Sequence, residues 1–190
     1  IFTSFLYILS ETDGLIRNTY RYQFNLGQVA NFGMLFSFPF EGYAAISISF
    51  SCLSILFSYW FAWQYGKDLA KSKLPRLVKN FARAALFFFV ISSAGPLLLG
   101  YMMSQRIYDN NLFQNTIYLF LHFQYNGWFS FGILAIFFHF LYSKKILFDE
   151  KKGSWLFRFF FIACIPAYCL SILWASPPLW VFALAALAGL

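Results

Sequence analysis

Long apolar runs separated by short basic intervals constrain this chain more than any other feature. A membrane-crossing helix needs about 20 consecutive, mostly apolar residues. Four stretches reach that length: 42–65, 81–103, 116–142 and 155–175. Residues 1–9 and 178–190 are apolar but shorter, and read as partial spans. In lipid, backbone N–H and C=O groups must be satisfied within the segment, which makes such runs helices. The expected fold is an all-α, polytopic transmembrane helix bundle forming a single domain. It has four complete spans, partial spans at both ends, and an outer cap over residues 10–41. The apolar start at Ile1–Leu9, with no basic front or small-residue cleavage site, reads as the end of a truncated helix and the chain as a fragment.

Composition agrees with this reading. The chain is 61% hydrophobic with 28 Phe, and only 11% of it is charged, against about 25% in soluble domains. A water-soluble domain of this size could not hide that much apolar surface. The net charge of +7 could suggest nucleic acid, but the placement of the charges argues otherwise. Lys67, Lys71, Lys73, Arg76, Lys79 and Arg83 fall in one interval between apolar runs, and Lys144, Lys145, Lys151, Lys152 and Arg158 in another. This is the bias that orients membrane helices, and it leaves no basic, aromatic-interleaved stripe for a nucleic acid. Segments 66–83 and 143–154 are therefore expected on the cytoplasmic side, with 10–41 and 104–115 outside. The expected setting is a bacterial cytoplasmic membrane. The expected partners are the lipid bilayer and either other membrane subunits or a missing remainder of the chain.

Prolines and cysteines add local detail. Pro39 suits the first turn of the run that follows it, and Gly95-Pro96 should kink the second span in mid-membrane. Cys52, Cys164 and Cys169 lie within apolar runs without metal-type spacing, so neither a metal site nor a disulfide is expected from them.

Within the third run lies Leu121-His122-Phe123-Gln124-Tyr125-Asn126-Gly127-Trp128, which places the four hydrogen-bonding side chains of His122, Gln124, Tyr125 and Asn126 close together. Polar groups are costly in hydrocarbon, so such a cluster marks a functional site or an interhelical contact. At 100° per residue, His122 shares a face with Asn115, Tyr118, Asn126 and Phe129, while Gln124 points to nearly the opposite side. One helix thus presents polar groups to two neighbours, and Gly127 leaves room for a bulky group or a close helix. A metal- or haem-ligating role for His122 fits the chemistry of imidazole. His139 lies on another face near the cytoplasmic end, as an interfacial histidine.

The stretch Thr116-Ile-Tyr118-Leu-Phe-Leu-His122-Phe-Gln124-Tyr125 resembles the tenth helix of haem-copper oxidase subunit I, whose motif is T-x-Y-x-x-x-H-F-H-Y. The resemblance implies a match to that family's last five helices, with His122 as the high-spin haem ligand. Gln124 stands at the second ligand's position and cannot act as an ordinary axial ligand. Gln124, Tyr125, Asn126 and Tyr118 would be supporting or interhelical polar partners. The family's adjacent copper histidines have no counterpart between Arg17 and Tyr43, and the chain has only 2 histidines, too few for a haem-copper centre. The resemblance therefore points to a haem-binding respiratory component or a diverged relative. If an enzyme, the protein would be an oxidoreductase.

Two other functions fit the same residues. A structural subunit of a larger membrane complex would use the polar cluster to join helices. A small-solute transporter would use Glu41 at the outer membrane edge and the Gly95-Pro96 and Pro177-Pro178 breaks. A carboxylate at the start of a helix also has a plain electrostatic reason to be there. Arg158 should snorkel to the surface. No phosphate-binding glycine loop, HExxH or serine nucleophile elbow is present.

Overall fold

A computed structural model describes residues 5, 18–42 and 44–189. No strand occurs among them. The helices are α1 (Asn18–Glu41), α2 (Ala45–Lys71), α3 (Arg76–Ser92), α4 (Ala94–Ser104) and α5 (Asn110–His122). A π-helical segment, Phe123–Phe129, follows, then α6 (Ser130–Ser143), α7 (Glu150–Ser171) and α8 (Leu179–Gly189). By length and composition, 3 helical stretches could cross a membrane: Ala45–Lys71, Arg76–Ser104 and Glu150–Ser171. The expected run 116–142 is helical throughout, but the π-helical segment divides it into α5 and α6.

Local sequence explains the boundaries. Asp109 caps α5 by accepting the Leu112 N–H at 3.0 Å, and Asp149 caps α7 by accepting that of Lys151 at 2.9 Å. Pro75 sits immediately before α3, where its missing N–H does no harm. Between α3 and α4, the helix breaks at Ser93. Pro96 has no N–H to offer the Ser92 carbonyl one turn back, and its ring crowds that carbonyl. The break lies a few residues to the N-terminal side of the expected kink at Gly95-Pro96. Gly95 lets α4 close on α5, since a Cβ there would lie 2.6 Å from Phe120 Cβ.

Helix α3 is the centre of the bundle. Leu77, Val78, Phe81, Ala82, Ala85 and Phe88 are buried against α6 and α7, and Arg83, Phe87 and Val90 face outward. The core is a stack of phenylalanines. Phe81 meets Phe138 at 5.2 Å and Phe157 at 5.1 Å, and Phe88 meets Phe131 at 5.1 Å and Phe161 at 5.4 Å between ring centroids. Aromatic pairs at these separations add specificity to the burial. The outer surface is also apolar, with Phe159 65%, Ile162 69% and Leu187 70% exposed. A surface of that kind is compatible with a lipid bilayer.

The N-terminal third departs most from expectation. Residues 18–41 form a helix of 24 residues packed antiparallel along α2, not an outer cap. The turn passes through Gly42 at φ +61°, a left-handed conformation that glycine adopts without strain. At the far end, the Tyr20 hydroxyl donates to Asp68 at 2.7 Å. Residue 20 therefore lies at the same end of α2 as the basic interval 66–83, and Glu41 lies at the other end. Residues 10–17 lie outside the described residues.

Three local expectations change with it. Pro39 falls in the last turn of α1, not the first turn of α2. Glu41 ends α1, where the helix dipole is negative, so it is not a helix-start carboxylate; it is exposed beside the Gly42 turn. Phe5, the one described residue of 1–9, stacks on Tyr65 at 5.1 Å and so sits towards the basic end of α2. Further along the chain, His139 is buried among neighbouring side chains at 6% exposure.

Helix α1 was hard to foresee because it is inside-out. Val29, Phe32, Leu35 and Phe36 are 57–64% exposed, whereas Gln23 is 2% exposed. Its polar residues, of which Gln23 alone is buried among those described, interrupt the apolar ones, so no long apolar run marks it.

Candidate functional site

The polar cluster coincides with the π-helical segment. Such segments are rare and concentrate at functional sites. Here the Ser130 side chain supports it, its hydroxyl donating to the Tyr125 carbonyl at 2.9 Å, five residues back. His122, the last residue of α5, is 5% exposed. Its Nε2 lies 2.8 Å from the Cys164 carbonyl of α7, and its Nδ1 lies 3.1 Å from the Asn126 amide nitrogen. A carbonyl only accepts, so the pattern fits a proton on Nε2, with Nδ1 accepting from Asn126. Cys164 stands two residues before Pro166, whose missing N–H loosens the backbone ladder of that turn. Tyr168 of α7 reaches back to α5, donating to the Asn115 carbonyl at 3.0 Å.

Gln124 faces a different helix, as its spacing from His122 predicts. Its Oε1 accepts from the Ser92 hydroxyl at 2.8 Å, tying the π-helical segment to the break between α3 and α4. Gly127 brings the two backbones together, because a Cβ at that position would collide with Phe88 Cβ. The room left by Gly127 is filled by a neighbouring helix. Tyr118 and Tyr125 do not join the cluster. Tyr118 is 38% exposed with its ring 6.1 Å from that of Trp174, and Tyr125 is 58% exposed and stacks on Phe129. Glu41 lies on a different part of the bundle, at the α1–α2 turn.

As arranged, His122 does not fit the part of a haem ligand. Neither ring nitrogen is free, and iron ligation would break the bond to Cys164 or the one from Asn126. Among the described residues, no group of three or more His, Cys, Asp or Glu side chains could hold a metal ion. The three cysteines are free thiols.

Sequence reasoning missed a cavity of about 660 Å³ between the α1–α2 hairpin and α3–α5. It is lined by Ser51, Ser54 and Ser58 of α2, by Ser92, Ser93 and Pro96 at the helix break, and by Gln124. Spacings of three and four residues put the α2 serines on one helix face, a signal visible in the sequence but weak beside the histidine. A second cavity of about 230 Å³ shares Ser54, Ser58 and Phe89 with the first and reaches Gln23. The Gln23 amide is buried, and neither its oxygen nor its nitrogen has a hydrogen-bond partner among the described residues.

Comparison of this chain with known protein families, curated proteins and solved structures finds no match.

Proposed function

We propose that this chain is a non-catalytic, integral membrane component resembling haem-copper oxidase subunit I, in which the residue at the high-spin haem position joins helices instead of holding iron. The observation carrying this reading is the double engagement of His122, to Cys164 on α7 and to Asn126 one turn on. Gln124 is engaged at one end of its amide, with Ser92. Each such bond between membrane helices contributes about 0.6–2 kcal/mol, so the cluster fixes the mutual positions of α3, α5 and α7. A protein of this kind acts as a membrane scaffold within a larger assembly.

In this reading α1 is a further traverse. Its 24 residues extend about 36 Å, enough for the roughly 30 Å hydrocarbon layer. Running it beside α2 moves Arg21 to the side of the interval 66–83, and the positive-inside bias supports that arrangement. Residues 66–83, 143–154 and the start of α1 then face the cytoplasm, and the α1–α2 turn and 105–109 face outward.

The test is an absorption spectrum of the protein purified in mild detergent, with the composition of what elutes beside it. The expected preparation has no Soret band and carries membrane partners in fixed stoichiometry. His122→Ala is expected to lower its melting temperature. A Soret band that disappears in His122→Ala would overturn the reading in favour of a haem protein. A monodisperse, partner-free chain would remove the scaffold role.

A further inference from the structure

We propose that the larger cavity binds a neutral, lipid-soluble ring compound bearing carbonyl groups, of the quinone type. Its lining contains no Lys, Arg, Asp, Glu or His. An ionic ligand would find no counter-charge there, at a depth where bare charge is costly. The lining is not merely apolar, however. The hydroxyls of Ser51 and Ser58 have no hydrogen-bond partner among the described residues, the Gln124 amide is engaged at one end only, with Ser92, and all three side chains line the cavity.

Those unengaged donors discriminate between occupants. A lipid acyl chain would bury them without an acceptor, whereas carbonyl oxygens accept from amide and hydroxyl alike. Phe89, Phe120 and Tyr101 give the cavity aromatic walls, which favour a flat ring over a branched or flexible body. The volume, about 660 Å³, lies within the usual range for a small-molecule site. At the rim, Leu97 is 43% and Tyr101 57% exposed, so entry is through an apolar surface. Gln23, buried beside the adjoining cavity and without a hydrogen-bond partner among the described residues, is a second amide that would hold a polar substituent of the ligand or its water.

The test is equilibrium dialysis of the full chain in lipid nanodiscs against duroquinone, with empty nanodiscs as the blank. Durene, the same tetramethylated ring without carbonyls, is the control. Duroquinone is expected to bind saturably, and durene at least about tenfold more weakly, the factor expected for one hydrogen bond. Gln124→Leu is expected to weaken duroquinone binding by a similar factor, about tenfold. Gln124 also holds Ser92, so a second variant separates binding from folding. A Cβ at Gly100 would meet only Ile48 Cγ2, at 3.6 Å, so Gly100→Leu enters the cavity without a backbone clash. It is expected to abolish binding while leaving the melting temperature unchanged. No saturable binding by the parent chain, equal binding of durene, or undiminished binding by a folded Gly100→Leu would each overturn the proposal.

Discussion

The Ser92 hydroxyl donates to Gln124 Oε1 at 2.8 Å, joining two places where the helical backbone departs from regularity. Ser92 is the last residue of α3 before the break, and Gln124 is the second residue of the π-helical segment. A double-mutant cycle with Ser92→Ala and Gln124→Leu measures what this contact contributes. The expected coupling energy is about 0.5–1.5 kcal/mol, read from thermal or denaturant unfolding in detergent. Additive effects of the two substitutions would mean that the two irregularities are independent.

Gly127 predicts a sharper effect. A Cβ there collides with Phe88 Cβ in the core, so Gly127→Ala must separate α3 from the π-helical segment. The expected loss is about 1–3 kcal/mol, the range for overpacking. Gly66→Ala is the matched control, because a Cβ at that helical position meets nothing within 4 Å. It should leave stability unchanged or raise it by about 0.4–1 kcal/mol through reduced freedom of the unfolded chain. Similar melting shifts for both variants would contradict the packing described here.

How far the sequence revealed this arrangement depended on the kind of signal each part carries. The helices of apolar runs were legible because a bilayer leaves few alternatives for such runs. The opposed directions of His122 and Gln124 followed from helical geometry, and they face α7 and α3 as that geometry requires. Helix α1 was not legible, since its apolar residues are interleaved with Gln23, Asn25, Gln28 and Asn31. The π-helical segment was not legible either: no residue pattern in Phe123–Phe129 distinguishes a five-residue from a four-residue hydrogen-bond step. Nor could the sequence tell a haem ligand from a helix fastener at His122. The proposal that it is a fastener rests on the Cys164 carbonyl, 42 residues away.

The α1–α2 turn depends on one backbone angle. Gly42 has φ +61°, and the turn is secured by the Ala44 N–H donating to Ser47 Oγ at 3.0 Å. Gly42→Ala meets no steric obstacle beyond the backbone itself, since nothing lies within 4 Å of its Cβ position. The expected cost is therefore the left-handed penalty alone, about 1–2 kcal/mol. Gly42→Asn should recover part of it, because Asn tolerates that region. Equal melting temperatures for all three forms would show that the turn is not held in this conformation.

The path of α1 gives the most direct prediction about topology. If α1 runs beside α2, as the Tyr20–Asp68 contact requires, Tyr22 and Lys73 belong to one membrane face and Phe40 and Tyr108 to the other. Tyr22, Phe40 and Tyr108 are 67%, 86% and 85% exposed, and Lys73 is also exposed. Single cysteines at these positions, in a background with Cys52, Cys164 and Cys169 replaced by Ala, can be labelled in intact cells by a membrane-impermeant maleimide. Phe40→Cys and Tyr108→Cys are expected to react from outside, and Tyr22→Cys and Lys73→Cys only after the membrane is opened. An outer-cap arrangement of residues 10–41 would instead make Tyr22→Cys react with Phe40→Cys. External labelling of Tyr22→Cys while Lys73→Cys stays protected would therefore refute the antiparallel α1–α2 pair within the bilayer.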